Sequence, residues 1–184
     1  AGLGWLLNDL GQKDHTLTEC IIGHADPMVI ADSLSKASSS EAYIWGHFLG
    51  RLASAASREW LNKLNAAFDI KALREIFICA KTQDLRSISE LANGIACFDL
   101  DLSLELVDLS RKTIADAINS NIIKFGDLFE MVLVVLGYGP RFLIHREPSE
   151  KQRQIAFKLV NDLNPSSISQ YISNSNRRDW QSHA

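Results

Sequence analysis

The sequence lacks the features that mark several common classes of protein. No apolar run reaches the ~18 residues that a membrane-spanning helix requires, and the start shows no charged segment leading into an apolar stretch, as a secretory leader would. Cysteine is scarce: the three residues show no CxxC spacing, which argues against a disulfide framework and against a zinc knuckle. We therefore expect a cytoplasmic protein with no membrane contact.

The sequence also lacks an excess of positive charge. Its 19 Lys and Arg residues face 22 Asp and Glu residues, a formal net charge of −3, which argues against nonspecific binding of nucleic acid. The charge is uneven, however, because residues 140–184 hold seven basic and four acidic residues. A nucleic-acid-binding function, if the chain has one, would use this basic C-terminal region.

Motifs of catalysis and of cofactor binding are missing as well. The opening AGLGWLLND supplies glycines but neither the Lys nor the hydroxyl of a phosphate-binding loop, and no GxSxG nucleophile motif occurs. Cys20 and His24 share a helical face, but zinc needs further ligands, so core packing and helix capping explain them better. Asp99 and Asp101 are better explained as caps of the helix that follows. We therefore expect that the protein is not an enzyme and that it has neither a cofactor nor a metal site.

What the sequence does contain is a degenerate repeat. Four similar segments, WLLNDL, HFLGRL, ELANGI and MVLVVL, end at positions separated by 42, 43 and 41 residues, namely Leu10, Leu52, Ile95 and Leu136. In addition, IADSL at 30–34 recurs as IADAI at 114–118, two periods later. Such self-similarity predicts about four structural units of ~42 residues.

Each unit is predicted to hold three short helices. The predicted ranges are 4–13, 15–24 and 27–37 in the first unit, 43–54, 57–67 and 70–80 in the second, and 87–97, 101–109 and 112–122 in the third. Residues able to cap helix N-termini lie near these starts: Thr16, Asp26 with Pro27, Ser57, Asp69, Ser87, Ser103 and Thr113. The segment MVLVVLGYG at 131–139 has the composition of a buried strand, but its place in the repeat favours a helix.

Short helices are marginally stable alone, so each must bury its apolar side against neighbours in its own unit and in the next. Helix triplets at this period are typical of armadillo and HEAT arrays, and the unit is too long for tetratricopeptide repeats. We predict an all-α protein: a right-handed α–α superhelix (solenoid) over residues 1–139, followed by capping helices and a polar tail over 140–184. The first of these helices is predicted at 152–163.

Four segments, GWLLNDLGQKD, HADPMVIADSL, LANGIACFDLDLSLELVDL and TIADAI, resemble the degenerate helical arrays that follow the nucleotide-binding core of bacterial STAND-type NTPases. The likeness covers roughly residues 1–139, although Ala55 and Ala56 replace the expected acidic turn and the chain has no NTPase motif. It implies a sensor arm that binds a trigger protein, often of phage origin, and relays binding to the NTPase and an effector domain in antiviral defence. The absent initiator Met likewise leads us to expect an excised fragment with flanking domains.

The function we expect is that of a noncatalytic protein-interaction scaffold that binds a protein partner on one curved face. Trp5, Trp45 and Trp60 share helices with Leu and are predicted to lie in the core, whereas His47 and Arg51 form an outward stripe on the second unit's first helix. A further candidate set combines Arg and Trp, which are enriched at interface hot spots, but is also consistent with a solvated linker: Arg141, His145, Arg146, Arg177, Arg178 and Trp180. The alternatives are a nucleic-acid-binding helical repeat and an all-α enzyme with a site between helices.

Overall fold

The structure, a computed structural model, describes residues 15–122, 131, 134–135, 147–167 and 169, with the side chains of all of these except 15–19, 54 and 55. All regular structure in this part of the chain is helical, which confirms the predicted all-α class. The helices are α1 (His15–His24), α2 (Pro27–Ser35), α3 (Ala42–Ala55), α4 (Arg58–Ala67), α5 (Ile70–Ile78), a 3-10 turn (Thr82–Asp84), α6 (Leu85–Ala96), α7 (Leu100–Asn119) and α8 (Glu150–Asn161). None of these described helices is both long and apolar enough to cross a membrane.

Local sequence signals set most of the helix starts. At five of them a side-chain oxygen accepts a hydrogen bond from a backbone N–H two or three residues later, which satisfies a donor that has no partner inside the helix. Four of the capping residues are predicted ones, Asp26, Ser57, Asp69 and Asp99, and the fifth is Ser149 of α8. Pro27 occupies the first turn of α2, where its missing N–H costs nothing.

Helix α7 differs from the prediction, because it continues through 100–119 where two helices were expected. Ser103 and Thr113 therefore lie inside α7 and do not cap, and Ser87 lies inside α6. The Ser103 hydroxyl donates to the carbonyl oxygen of Ala92 at 2.7 Å, in the buried interface with α6. At the predicted break, near 110–111, the buried Ser110 hydroxyl donates to the Val107 carbonyl oxygen of the same helix at 3.1 Å, and the helix continues through it.

Helices α3 and α6 lie side by side and run in the same direction. Near their N-terminal ends, the Arg86 guanidinium lies over the Tyr43 ring, 5.4 Å from its centroid. One turn further along both helices, Nε2 of His47 lies 3.7 Å from Oε2 of Glu90. Both contacts join residues 43 positions apart, so the helices are parallel and matched turn for turn.

This interval equals one of the spacings of the predicted repeat. The same 43 positions separate Leu52 from Ile95, the residues that close the equivalent segments. A similar relation continues to the next segment, where the backbone N–H of Met131 donates to the buried Ser89 hydroxyl at 2.8 Å, 42 positions away. Helices α3 and α6, and Met131 beyond them, are thus neighbours at intervals of 43 and 42 residues.

Two further pairs of helices are in contact. Helix α2 packs against α4, and α5 packs against α7, where Arg74 Nη2 lies 2.6 Å from Glu105 Oε1. In terms of the predicted units, each pair joins the third helix of one unit to the second helix of the next. The Trp60 indole N–H of α4 donates to the carbonyl oxygen of Ala25, between α1 and α2, at 2.9 Å. Trp60 and Trp45 are partly buried against the core, as predicted, and Trp5 lies outside the described residues.

Glycine allows α3 and α6 to approach until their backbones touch. A Cβ atom at Gly94 would lie 2.5 Å from the Gly46 carbonyl oxygen, and one at Gly46 would lie closer still to the backbone of Glu90. Fully buried leucines flank this contact on both helices, with Leu49 on α3 and Leu91 on α6. The closest approach of the two helices is therefore fixed by the absence of two side chains.

Helix α8 confirms the predicted C-terminal helix and packs on α7. Lys151 Nζ lies 3.0 Å from Asp101 Oδ1, and Lys158 Nζ lies 2.8 Å from Asp108 Oδ2. The partners in both pairs are 50 positions apart, so α8 runs parallel to α7, and the pairs are spaced by seven residues, or two helical turns. The buried Gln152 adds a hydrogen bond from its side-chain amide to the carbonyl oxygen of Val134.

We predict that Gly46→Ala lowers the free energy of unfolding by ~2 kcal/mol or more, since the added methyl group forces α3 away from the α6 backbone. The matched control is Gly50→Ala in the same helix, where a Cβ would meet nothing within 4 Å. That substitution should raise stability by up to ~1 kcal/mol, because alanine favours helix over glycine. Urea unfolding followed by circular dichroism measures both, and equal effects would refute the backbone contact.

Candidate functional site

The candidate site is a surface cluster across the α3–α6 contact, made of Tyr43, His47, Arg86 and Glu90 and called the joint cluster below. The Tyr43 and His47 rings meet edge to face with centroids 4.6 Å apart. Arg86 covers the Tyr43 ring, and Glu90 faces the His47 imidazole. The cluster thus joins an aromatic ring, a guanidinium, an imidazole and a carboxylate.

Helical spacing and the glycine contact place these four side chains. Tyr43 and His47 are four residues apart on α3, as Arg86 and Glu90 are on α6, so each pair shares one helical face. The His47 side chain is 45% exposed, whereas that of Glu90 is only 16% exposed. Burial raises the pKa of the Glu90 carboxyl, and the Arg86 charge lowers it by a smaller amount.

The geometry suits molecular contact better than acid–base chemistry. Tyrosine and arginine are enriched among the residues that dominate the energy of protein interfaces. The 3.7 Å between Nε2 of His47 and Oε2 of Glu90 exceeds hydrogen-bond length, so the pair is not aligned as a catalytic dyad would be. The all-α enzyme alternative gains no support from this pair.

The residues predicted for interaction fall partly within the described chain. His47 is exposed, and Arg51, one turn further along α3, is partly buried. The other six lie outside the described residues: Arg141, His145, Arg146, Arg177, Arg178 and Trp180. The structure therefore brings His47 into a cluster and leaves the basic set without a structural account.

Cys20 and His24, which the sequence offers as a possible metal-binding pair, lie in the last turns of α1. Nδ1 of His24 donates to the carbonyl oxygen of Cys20 at 2.8 Å, so the imidazole caps its own helix, as expected. The Cys20 side chain is exposed, so the expectation that it packs in the core is wrong. Within the described residues, no three His, Cys, Asp or Glu side chains are grouped as a metal ion would require.

Three members of the joint cluster, Tyr43, Arg86 and Glu90, were not predicted as site residues. The signal that finds them is the predicted repeat, because a step of 43 residues leads from Tyr43 to Arg86 and from His47 to Glu90.

Comparisons of the chain with family models, with curated proteins and with solved structures find no match.

We predict that Glu90→Gln stabilises the protein relative to the wild type by more at neutral pH than near pH ~4. Because burial raises the pKa of Glu90 in the folded state, its contribution to stability is present at low pH and is lost as pH rises through that raised pKa. Glutamine keeps the shape and removes the titration. Urea unfolding of both proteins across this pH range measures the difference, and a difference independent of pH would contradict it.

Proposed function

We propose that the chain is a noncatalytic protein-interaction scaffold, built as a right-handed α–α superhelix (solenoid) of about four units over 1–139 and closed by the cap over 140–184. The observation that carries the proposal is the parallel pairing of α3 and α6 with residues matched 43 positions apart. Units stacked with one constant offset produce an extended surface whose outer side chains vary without disturbing the core.

The joint cluster supports a role for this surface in binding a protein partner. It lies on the line of first helices, at the junction of the second and third units, and combines Tyr43 and Arg86 in contact with each other. A partner bound across such a junction would contact two units at once. Small changes in the angle between units would then carry the binding event along the array.

We further propose that this scaffold is a sensor or packing arm of a larger STAND-like protein that acts in antiviral defence, with flanking domains in the same longer chain. This part of the proposal rests on the likeness of the four sequence segments alone. A reducing, cytoplasmic location is supported by the exposed thiols of Cys20 and Cys79, which such a compartment would keep reduced.

A protein partner is favoured over nucleic acid by the ion pairs of the C-terminal region. Lys151 and Lys158 of α8 are paired with Asp101 and Asp108 of α7. Cations neutralised within the molecule offer less to a phosphate backbone. The proposal includes no cofactor and no metal ion.

Deleting one period tests the repeat architecture. Removal of residues 43–85 joins Ala42 to Arg86 and lets α6 take the place of α3, so we expect a shorter protein with unchanged helical content per residue and cooperative urea unfolding. Removal of 43–76, which is shorter than a period, joins Ala42 to Phe77 and should abolish cooperative unfolding. If circular dichroism shows both deletions to be equally disordered, the solenoid proposal fails.

Site-specific crosslinking tests the binding surface. We expect a photo-reactive phenylalanine at position 43 in the full-length protein to give one discrete protein adduct in host cells, and Arg86→Ala to weaken it several-fold. The matched control places the same group at Lys63, an exposed residue of a different helix, α4. Adducts of equal yield at both positions, or an adduct with nucleic acid at position 43, would overturn the proposed function.

A further inference from the structure

We propose that His47 and Glu90 form a pH-dependent latch between the second and third units, which holds α3 and α6 together more strongly when the imidazole carries its proton. The pair bridges two helices that are distant in sequence, with 3.7 Å between Nε2 and Oε2. This inference is independent of any partner, because it concerns the stability of the joint itself.

The backbone contact keeps the two groups in range of each other. His47 follows Gly46 directly, and a Cβ at Gly46 would strike the carbonyl group of Glu90. The helices therefore meet at the residues that carry the pair, and the side chains need no backbone movement to interact. A charge pair held by a rigid contact loses less entropy than one between two mobile surface side chains.

The surroundings leave the Glu90 carboxylate short of positive charge. On its own helix it has Arg86 one turn away, and the groups on α3 at this surface are Tyr43, His47 and Arg51. Burial still raises the pKa of Glu90 in spite of the Arg86 charge, so the ionised form is incompletely compensated. Arg86 itself is placed over the Tyr43 ring. A proton on His47 supplies the missing charge 3.7 Å away.

The sign of the effect follows from the two titrations. An ordinary imidazole gains its proton as pH falls through ~6.5, so the attraction of His47 for ionised Glu90 is present below that pH and is lost as pH rises through it. At lower pH still, Glu90 takes up a proton and the charge pair disappears, and its raised pKa brings that lower limit upward. The latch therefore acts in a narrow, mildly acidic window.

The first test is a titration of the histidine ring protons by NMR in wild type and in Glu90→Gln. We expect the midpoint of His47 to fall by about half a pH unit or more in the variant, since a carboxylate within reach favours the charged imidazole. His24, which caps α1 through the Cys20 carbonyl, is the internal control and should not shift. An unchanged His47 midpoint would refute the latch.

The second test measures stability with a different variant. We expect wild type to exceed His47→Gln in melting temperature by ~2 °C more near pH ~5.5 than near pH ~7.5. The matched control is Lys63→Gln, which removes the exposed pair with Glu59 and involves no group that titrates as an imidazole does. Its effect should change less over this pH range than that of His47→Gln, and equal changes would overturn the proposal.

Discussion

The structure depends on one close contact, that of the α3 backbone with the α6 backbone at Gly46 and Gly94. Helices whose contact residues carry side chains keep their axes 8–10 Å apart, roughly, and are spaced by those side chains. Here the absence of two Cβ atoms lets the backbones meet, and a Cβ at either glycine would collide with the facing main chain. The contact therefore fixes both the distance and the axial register of the pair, and sliding by one residue would place a side chain between the backbones.

The register of this pair determines what lies on its surface. Because α3 and α6 are parallel and matched at 43 positions, Tyr43 meets Arg86 and His47 meets Glu90. A shift of register would separate both pairs together, since they lie on one face of each helix. The joint cluster is thus a consequence of the packing beneath it. The buried leucines and the surface polar groups are consistent with the same register of α3 against α6.

The local features of the fold could be read from the sequence because their causes are local. Asp26, Ser57 and Asp69 cap helices through hydrogen bonds to residues two or three positions away, and the predicted starts are confirmed. The continuity of α7 could not be read in this way, because Ser110, at the predicted break, is buried in the packed structure and its hydroxyl donates to the Val107 carbonyl oxygen of the same helix. A serine that competes for the backbone in an isolated helix is tolerated where its hydroxyl is satisfied inside the folded protein.

In the candidate site, too, properties that depend on one helix could be predicted from the sequence, and properties that depend on two helices could not. Helical spacing identified His47 as an outward residue, since that property depends on α3 alone. Its carboxylate partner Glu90 depends on the pairing of two helices, and the sequence contained that information only in the repeat interval. The exposure of Cys20, by contrast, could not be read from its apolar neighbours in the sequence, because composition does not tell which face of a helix is covered.

Helix α8 shows how the fold pairs charges that are distributed unevenly along the chain, because its lysines contact aspartates of α7. The two lysine–aspartate pairs between α7 and α8 have the same separation in sequence, but Asp101 is 81% exposed and Asp108 only 33% exposed. Solvent and salt screen the first pair more strongly, so it contributes less. The second pair belongs to a network in which Arg111 contacts both Asp108 and Asp162. Electrostatic attachment of α8 is therefore concentrated at its C-terminal end, while Gln152 and Ile155 anchor the other end by burial.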